Sequence, residues 1–365
     1  MCEMLSQRRV LQTRAFVAAL FLLVLGLFPQ FDTATPGLSW DAVHFFQVAR
    51  NGFVYEHEWA WFPALPALVS LSPFAPTILA LALAWDSTKT LYALSLHHLQ
   101  SPALARLATL LSLLPSSPAT LFVAPYTEPF FTYFSYKGML FCARSQYPLA
   151  ALAFTAAGMF RSNGFVLSGF IIWDLLVAPL VHRKKILLSA IPTCLVLASL
   201  PFIPFVAHNY AAYTVFCDDS LSHSWCRARL PVVYSHVQSK YWNVGLFRYW
   251  TPQQLPNFLI AAPPLAAIVA FSVQYLRRCM QSSALDNSGL SILPHAIHAL
   301  VMCALYLFAS HTQIVLRQAA ALPITYWAAA WLLVDHPKWG RVWVAWSLLW
   351  GVLSIVLFAA FLPPA

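Results

Sequence analysis

Residues 40–66 read WDAVHFFQVARNGFVYEHEWAWFPALP and lie between two apolar runs, bringing Asp41, His44, Arg50, Glu56, His57, Glu58 and Trp59 into one loop. Carboxylates and imidazoles beside large aromatic rings suit acid/base work on hydroxyl groups and the recognition of sugars. Ser39 is expected to cap a short helix over 40–50. On that helix Asp41 and His44 share one face, while Val43 and Phe46 fall on another. A helix of this kind lies in the membrane interface, which holds a carboxylate where lipid meets water. Taken alone, an Asp at a helix start is more often a cap or dipole partner than a catalyst. The neighbouring Glu56-His57-Glu58-Trp59 favours chemistry.

Further along, Arg161 with Asn163 in FRSNG, and Arg317 with Gln313 in HTQIVLR, put guanidinium groups at the ends of apolar runs. Arginine grips phosphate through a planar fork and stays charged. At membrane depth such groups face a cavity or each other; the alternative is that they snorkel to headgroups and anchor their helices. Glu128 sits on the constrained turn PYTEP, where pairing with an arginine and binding substrate are both open. Asp174 reads as structural, and the aromatic stretch 234–250 as interfacial anchoring. The seven cysteines are scattered, and only Cys217 and Cys226 share a polar loop. In an oxidising lumen they can close a disulfide; otherwise they stay thiols. No CxxC or other metal-ligand spacing occurs, so no metal-ligating residues and no cofactor are expected, and metal dependence is left open.

The elements that must position these residues are membrane helices. The chain is 60% hydrophobic and only 9% charged, with a mean hydropathy of +0.67, far from the roughly 25% charge of soluble domains. Its net charge of +9 comes from basic residues at the ends of apolar runs. That is the positive-inside pattern and not a nucleic-acid surface. The expected fold is an all-α polytopic membrane protein with about eleven crossings: 15–28, 62–84, 102–124, 129–142, 148–160, 165–180, 186–207, 258–275, 293–310, 316–334 and 342–362. The first also has the length of a signal-peptide core. Between 129 and 180, two helices or four fit the pattern.

Counting from a cytoplasmic N-terminus, the basic residues at 182–185, 277–278 and 338–341 come out cytoplasmic. Three polar segments, 29–61, 208–257 and 311–317, then share the luminal side. Residues 1–365 read as a single membrane-embedded domain, without internal repeat, low-complexity tract or soluble module. There is no phosphate-binding loop, dinucleotide fingerprint, GxSxG, HExxH or DxD. Nucleotide-driven pumping, serine hydrolysis and metal-assisted use of nucleotide sugars therefore lose support.

The segment 40–66, PYTEPFF, FRSNG, YWNVGLFRYW followed by PNFLIAAP, and HTQIVLR together resemble the GPI mannosyltransferase 2 family of the endoplasmic reticulum. The resemblance implies a GT-C type glycosyltransferase with a catalytic acid in its first luminal loop, a position that falls on Asp41. It further implies α1,6 transfer of the second mannose from dolichyl-phosphate mannose to the mannosylated glucosaminyl-phosphatidylinositol of the GPI precursor. On that reading His44, Arg50, Glu56, His57, Trp59, Glu128, Arg161, Asn163, Gln313 and Arg317 bind substrates. The partners are membrane lipid and an accessory membrane subunit if one is needed, with no nucleic acid. Three other readings compete: a dolichyl-phosphate-sugar transferase with another acceptor, a lipid or solute transporter, and a non-catalytic partner subunit of a transferase. Transporters set their polar residues near the midplane on broken helices, whereas here they gather at one face.

Overall fold

The computed structural model describes residues 7–28, 37–217, 223–281 and 291–362, and every regular element among them is helical. The first eight helices are α1 (Gln7–Leu27), α2 (Asp41–Asn51), α3 (Ala64–Leu71), α4 (Ala75–Leu99), α5 (Pro102–Leu111), α6 (Pro118–Phe122), α7 (Glu128–Ala143) and α8 (Tyr147–Gly158). Long helices follow over Ser162–Val181, Ala190–Phe216, Pro252–Gln281 and Pro337–Ala359. Shorter ones cover Val233–Trp242, Leu293–Phe308 and Pro323–Asp335. Residues 29–36 and 218–222, which belong to two of the expected luminal segments, lie outside the described residues.

The chain is a multi-pass membrane protein, but its crossings are not eleven full helices. Among the described residues five helices are long and apolar enough to span a bilayer: α1, Ser162–Val181, Ala190–Phe216, Pro252–Gln281 and Pro337–Ala359. A sixth counts if α3 and α4, bent by 112°, form one broken span. The expected crossings at 102–124, 148–160 and 293–310 contain short helices instead. Proline is the physical cause. It stands in the first turn of α4, α5, α6, α7, α8, Pro323–Asp335 and Pro337–Ala359, where its missing N–H costs nothing but the preceding turn cannot be helical. Backbone freed in this way is tolerated at membrane depth where it is buried in protein.

The short helices form the inner layer. Buried faces of α7, α8 and Pro323–Asp335 make the main core with Phe154, Met139 and Trp327. Between 129 and 180 the chain resolves into α7, α8 and Ser162–Val181. A Cβ on Gly164 would lie 2.4 Å from the Gly158 Cα, so the Arg161 to Gly164 break can press directly onto the end of α8. That close approach fixes where Arg161 emerges.

The polar ends are segregated. Phe21 meets Phe358 at 5.9 Å and Trp40 stacks on Phe361 at 5.2 Å, so the C-terminal ends of α1 and Pro337–Ala359 lie together beside α2. Arg8, Arg9, Lys338 and Arg341 are therefore at the other end of these helices. The helices Ser162–Val181 and Pro252–Gln281 likewise run away from the cluster described below toward His182 to Lys185 and Arg277 and Arg278.

Candidate active site

Helix α2 starts at Asp41, one residue later than expected, and Ser39 does not cap it. The N-cap is Trp40, at φ 57° and ψ −125° with no side-chain cap bond. Ser39 is fully buried and its hydroxyl has no partner among the described residues. A non-glycine residue at that φ is strained. Trp40 is held there by its stack on Phe361 and by its indole N–H, which donates to the Leu362 carbonyl at 3.2 Å. Ala42, Phe45 and Val48 form the buried side of α2, with Phe45 against Tyr126 at 6.0 Å. The helix thus rests on protein, and Asp41 keeps 30% of its side chain exposed.

Asp41 faces a buried chain of charges. Arg317 donates from Nη1 to Asp41 Oδ2 at 2.8 Å and from Nε to Glu128 Oε1 at 2.6 Å. Arg161 reaches the same Glu128 oxygen from Nη1 at 2.9 Å and also donates to Thr127 Oγ1 at 2.9 Å. With its amide oxygen turned toward Arg161, Gln318 accepts from Nε at 2.7 Å and from Nη2 at 2.6 Å. The Asn163 amide lies 3.3 Å from that of Gln318. Two acids and two arginines balance in charge, as buried ions must. The Glu128 side chain is only 2% exposed, Arg317 10% and Arg161 15%, so Asp41, at 30%, is the most exposed member.

Local sequence explains these placements. Glu128 begins α7, where a carboxylate is favoured by the helix dipole and Pro129 fits the first turn. Arg317 sits in a run of short turns, Thr312–Ile314, Val315–Gln318 and Ala319–Ala321, before Pro323 restarts the helix. The expected crossing at 316–334 therefore begins later, at Pro323. Tyr126 supports both charged groups: its ring lies 4.9 Å from the Arg317 guanidinium and its hydroxyl donates to the Ser39 carbonyl at 2.9 Å.

Glu56 and Glu58 are engaged elsewhere. Glu56 accepts from Trp225 Nε1 and Lys240 Nζ at 2.8 Å each and from Tyr241 Oη at 2.9 Å, with His223 and His236 at 3.2 and 3.4 Å. Burial works against its charge, but the bonds from Lys240, Tyr241 and Trp225 outweigh it and hold the carboxyl at about 2. Glu58 accepts the backbone N–H groups of Val54 and Tyr55 at 2.8 Å each, as a local cap. Cys217 and Cys226 are disulfide-bonded, closing the chain around this clamp. Glu56, expected to bind substrate, thus ties the first loop to residues 223–241.

Trp59, also expected to bind substrate, lies in the core. It is buried against Phe53 and His208 at 4.7 and 4.9 Å. Trp61, two residues on, takes the position expected of it: His44 stacks on its ring at 4.0 Å, and Trp242 meets it at 5.4 Å. His57 lies 5.8 Å from His44 and 5.7 Å from Tyr241. Burial lowers the His44 imidazole below its ordinary value against the opposing pull of Asp41. These rings form a half-buried aromatic shelf beside Asp41. Gln313 accepts from Tyr249 Oη at 2.6 Å, and His311 bonds the Trp242 carbonyl at 2.8 Å. HTQIVLR is thereby joined to YWNVGLFRYW. Arg50 is exposed at the far end of α2, apart from the cluster.

Tyr126, Thr127, Gln318 and Trp61 were not among the sequence candidates. Tyr126 and Thr127 adjoin Glu128, and Gln318 adjoins Arg317, so adjacency to a buried charge was the signal available. Among the described residues no three His, Cys, Asp or Glu side chains are grouped as metal ligands would be.

The sequence profile of a family described as Mannosyltransferase (PIG-V) matches residues 32–365. A GPI mannosyltransferase 2 from Cryptococcus neoformans is 34% identical over 400 aligned positions, covering 92% of each chain. One from Yarrowia lipolytica is 33% identical, covering 93% of this chain and 90% of its own. The GPI alpha-1,6-mannosyltransferase 2 of Rattus norvegicus is 30% identical over 82% of this chain and 74% of its own. No solved structure matches.

Proposed function

This chain belongs to the PIG-V mannosyltransferase family, and from that premise we propose that it adds the second mannose of the GPI precursor. The linkage is α1,6, the donor is dolichyl-phosphate mannose, and the acceptor is the first mannose of the glucosaminyl-phosphatidylinositol lipid. The reaction takes place at the luminal face of the endoplasmic reticulum membrane. The observation that carries the reading is the Asp41–Arg317–Glu128 chain, which sets an accessible carboxylate beside a buried guanidinium at one end of the bundle.

The donor is β-linked and the product α-linked, so one inverting displacement accounts for the chemistry. The acceptor's 6-oxygen bonds to the anomeric carbon as its proton passes to Asp41, and the carbon–oxygen bond to phosphate breaks. The leaving dolichyl phosphate takes that electron pair, and Arg317 stabilises its charge. Arg317 is shared: its Nη1 holds Asp41 before donor arrives, and the donor phosphate competes for it, releasing Asp41 to act as base. Arg161 commits four of its five N–H groups to Thr127, Glu128 and Gln318, so its main role is to position Glu128 and Arg317, and Arg317 is the principal phosphate group. His44, His57 and Trp61 orient the sugars. The scheme calls on no resident metal.

A lipid or solute transporter fits less well, because the paired acids and arginines gather at one end of the bundle and not at its midplane. The test of function is rescue. Expressed in cells that lack the second GPI mannosyltransferase, this chain, with any accessory subunit supplied, should return GPI-anchored proteins to the surface. A correctly expressed chain that fails to do so would contradict the reading.

A further inference from the structure

Two aromatic residues at helix ends share a strained backbone and a common face. Trp40 precedes α2 at φ 57°, and Phe361 follows the helix Pro337–Ala359 at φ 60°. Their rings stack at 5.2 Å with planes 11° apart. Phe361 occupies the left-handed position of a helix-ending turn: its N–H donates to the Phe358 carbonyl at 3.2 Å, and that of Leu362 to the Leu357 carbonyl at 2.8 Å. Glycine is the residue this turn favours, because it has no Cβ to clash. A phenylalanine there carries a backbone cost that helix termination does not require.

What its ring reaches is the entry to α2. The Trp40 indole N–H donates to the Leu362 carbonyl at 3.2 Å, across 322 positions of sequence. The same helix end carries Phe358, which packs on Tyr126 at 5.5 Å. Tyr126 in turn donates to the Ser39 carbonyl at 2.9 Å and sets its ring 4.9 Å from the Arg317 guanidinium. One helix end therefore bears on Asp41 through Trp40 and on Arg317 through Tyr126. Trp40 released from the stack gains by leaving φ 57° for extended backbone. The buried Ser39 hydroxyl, without a partner among the described residues, gains by capping α2. Either movement turns the first residue of α2, Asp41, away from Arg317 Nη1.

We propose that Phe361 is a positioning residue for the transfer reaction: its ring, with the Leu362 carbonyl, locks Trp40 in the left-handed backbone that aims Asp41 at Arg317. The inference rests on Asp41 acting as the base.

The test uses Phe361→Gly, which removes the ring and keeps the residue that the turn favours. In microsomes with equal protein, kcat should fall about ten- to hundredfold, the effect of misplacing a reacting group, with KM near wild type. Phe361→Tyr, which keeps the stack, should transfer normally. In an Asp41→Asn background Phe361→Gly should add no further loss, because the group it positions is gone. Trp40→Phe deletes only the indole N–H; it should lower kcat several-fold and decides the matter if Phe361→Gly yields no folded protein. Amide hydrogen exchange supplies a readout independent of activity. The Ala42 and Val43 amides, bonded to the Ser39 and Trp40 carbonyls at 3.3 and 3.0 Å, should exchange about tenfold faster in Phe361→Gly. A wild-type protein that transfers no mannose contradicts the proposed function, and exchange alone then decides this inference. The proposal is overturned if Phe361→Gly keeps the wild-type kcat, if its loss multiplies with that of Asp41→Asn, or if exchange at Ala42 and Val43 is unchanged.

Discussion

Asp41 and Arg317, 276 positions apart in the sequence, meet at 2.8 Å, and the same guanidinium holds Glu128 at 2.6 Å. One arginine therefore links a partly exposed carboxylate to a buried one. The side chain that holds the proposed base is thus the same one proposed to receive the leaving phosphate.

Arg317→Lys should separate these functions. A lysine keeps the charge but not the fork, so it cannot bridge Asp41, Glu128 and phosphate together. Loss of a charge-assisted bond predicts about a ten- to hundredfold fall in kcat/KM for the donor at normal protein level. An unchanged donor response would remove Arg317 from the site.

Glu128→Gln should act on stability first. It leaves Arg161 and Arg317 buried with only Asp41 as counter-charge, and breaking such a network costs about 3–5 kcal/mol. A lower unfolding midpoint in detergent and reduced steady-state protein are expected. A variant as stable as wild type would show that Glu128 does not organise the cluster.

The Glu56 clamp predicts a defined acid response. Its carboxyl is held at about 2 against an ordinary value of 4.5. The native state therefore gains from it fully above 4.5, and the gain is lost as pH falls from there toward 2. Glu56→Gln should unfold earlier than wild type at pH 7, and the gap between their midpoints should close across that window. A gap independent of pH would mean that the Glu56 charge does not contribute.

The aromatic shelf should affect sugar binding more than chemistry. Trp61→Ala removes the face on which His44 stacks, and loss of one stacking contact of about 1 kcal/mol predicts a several-fold rise in acceptor KM. Trp59→Ala empties a core position instead and should lower stability. If both variants lose only stability, the shelf has no part in recognition.

These contrasts show how far the sequence could be read. Asp41, Glu128, Arg161 and Arg317 were visible as charges at the edges of apolar runs, because a bilayer leaves few reasons for such residues. Pairing of Glu128 with an arginine was one open reading, but which groups pair was not visible, since it depends on helices far apart in the chain. The partners of Glu56 and Trp59 were hidden for the same reason: Lys240, Trp225 and His208 lie more than 140 residues away. Hydropathy located the apolar segments, but prolines in first turns cut several into buried half-length helices that a crossing count reads as full spans.

The central claim is that Asp41 takes the proton of the acceptor hydroxyl, and Asp41→Asn tests it most directly, because the amide keeps the shape and can still accept from Arg317. Mannose transfer to the GPI precursor is measured in microsomes containing equal amounts of wild-type and variant protein. A general base accounts for a hundred- to ten-thousand-fold in rate, so transfer should fall by about that factor while the protein remains folded. A near-normal rate from Asp41→Asn would contradict the account.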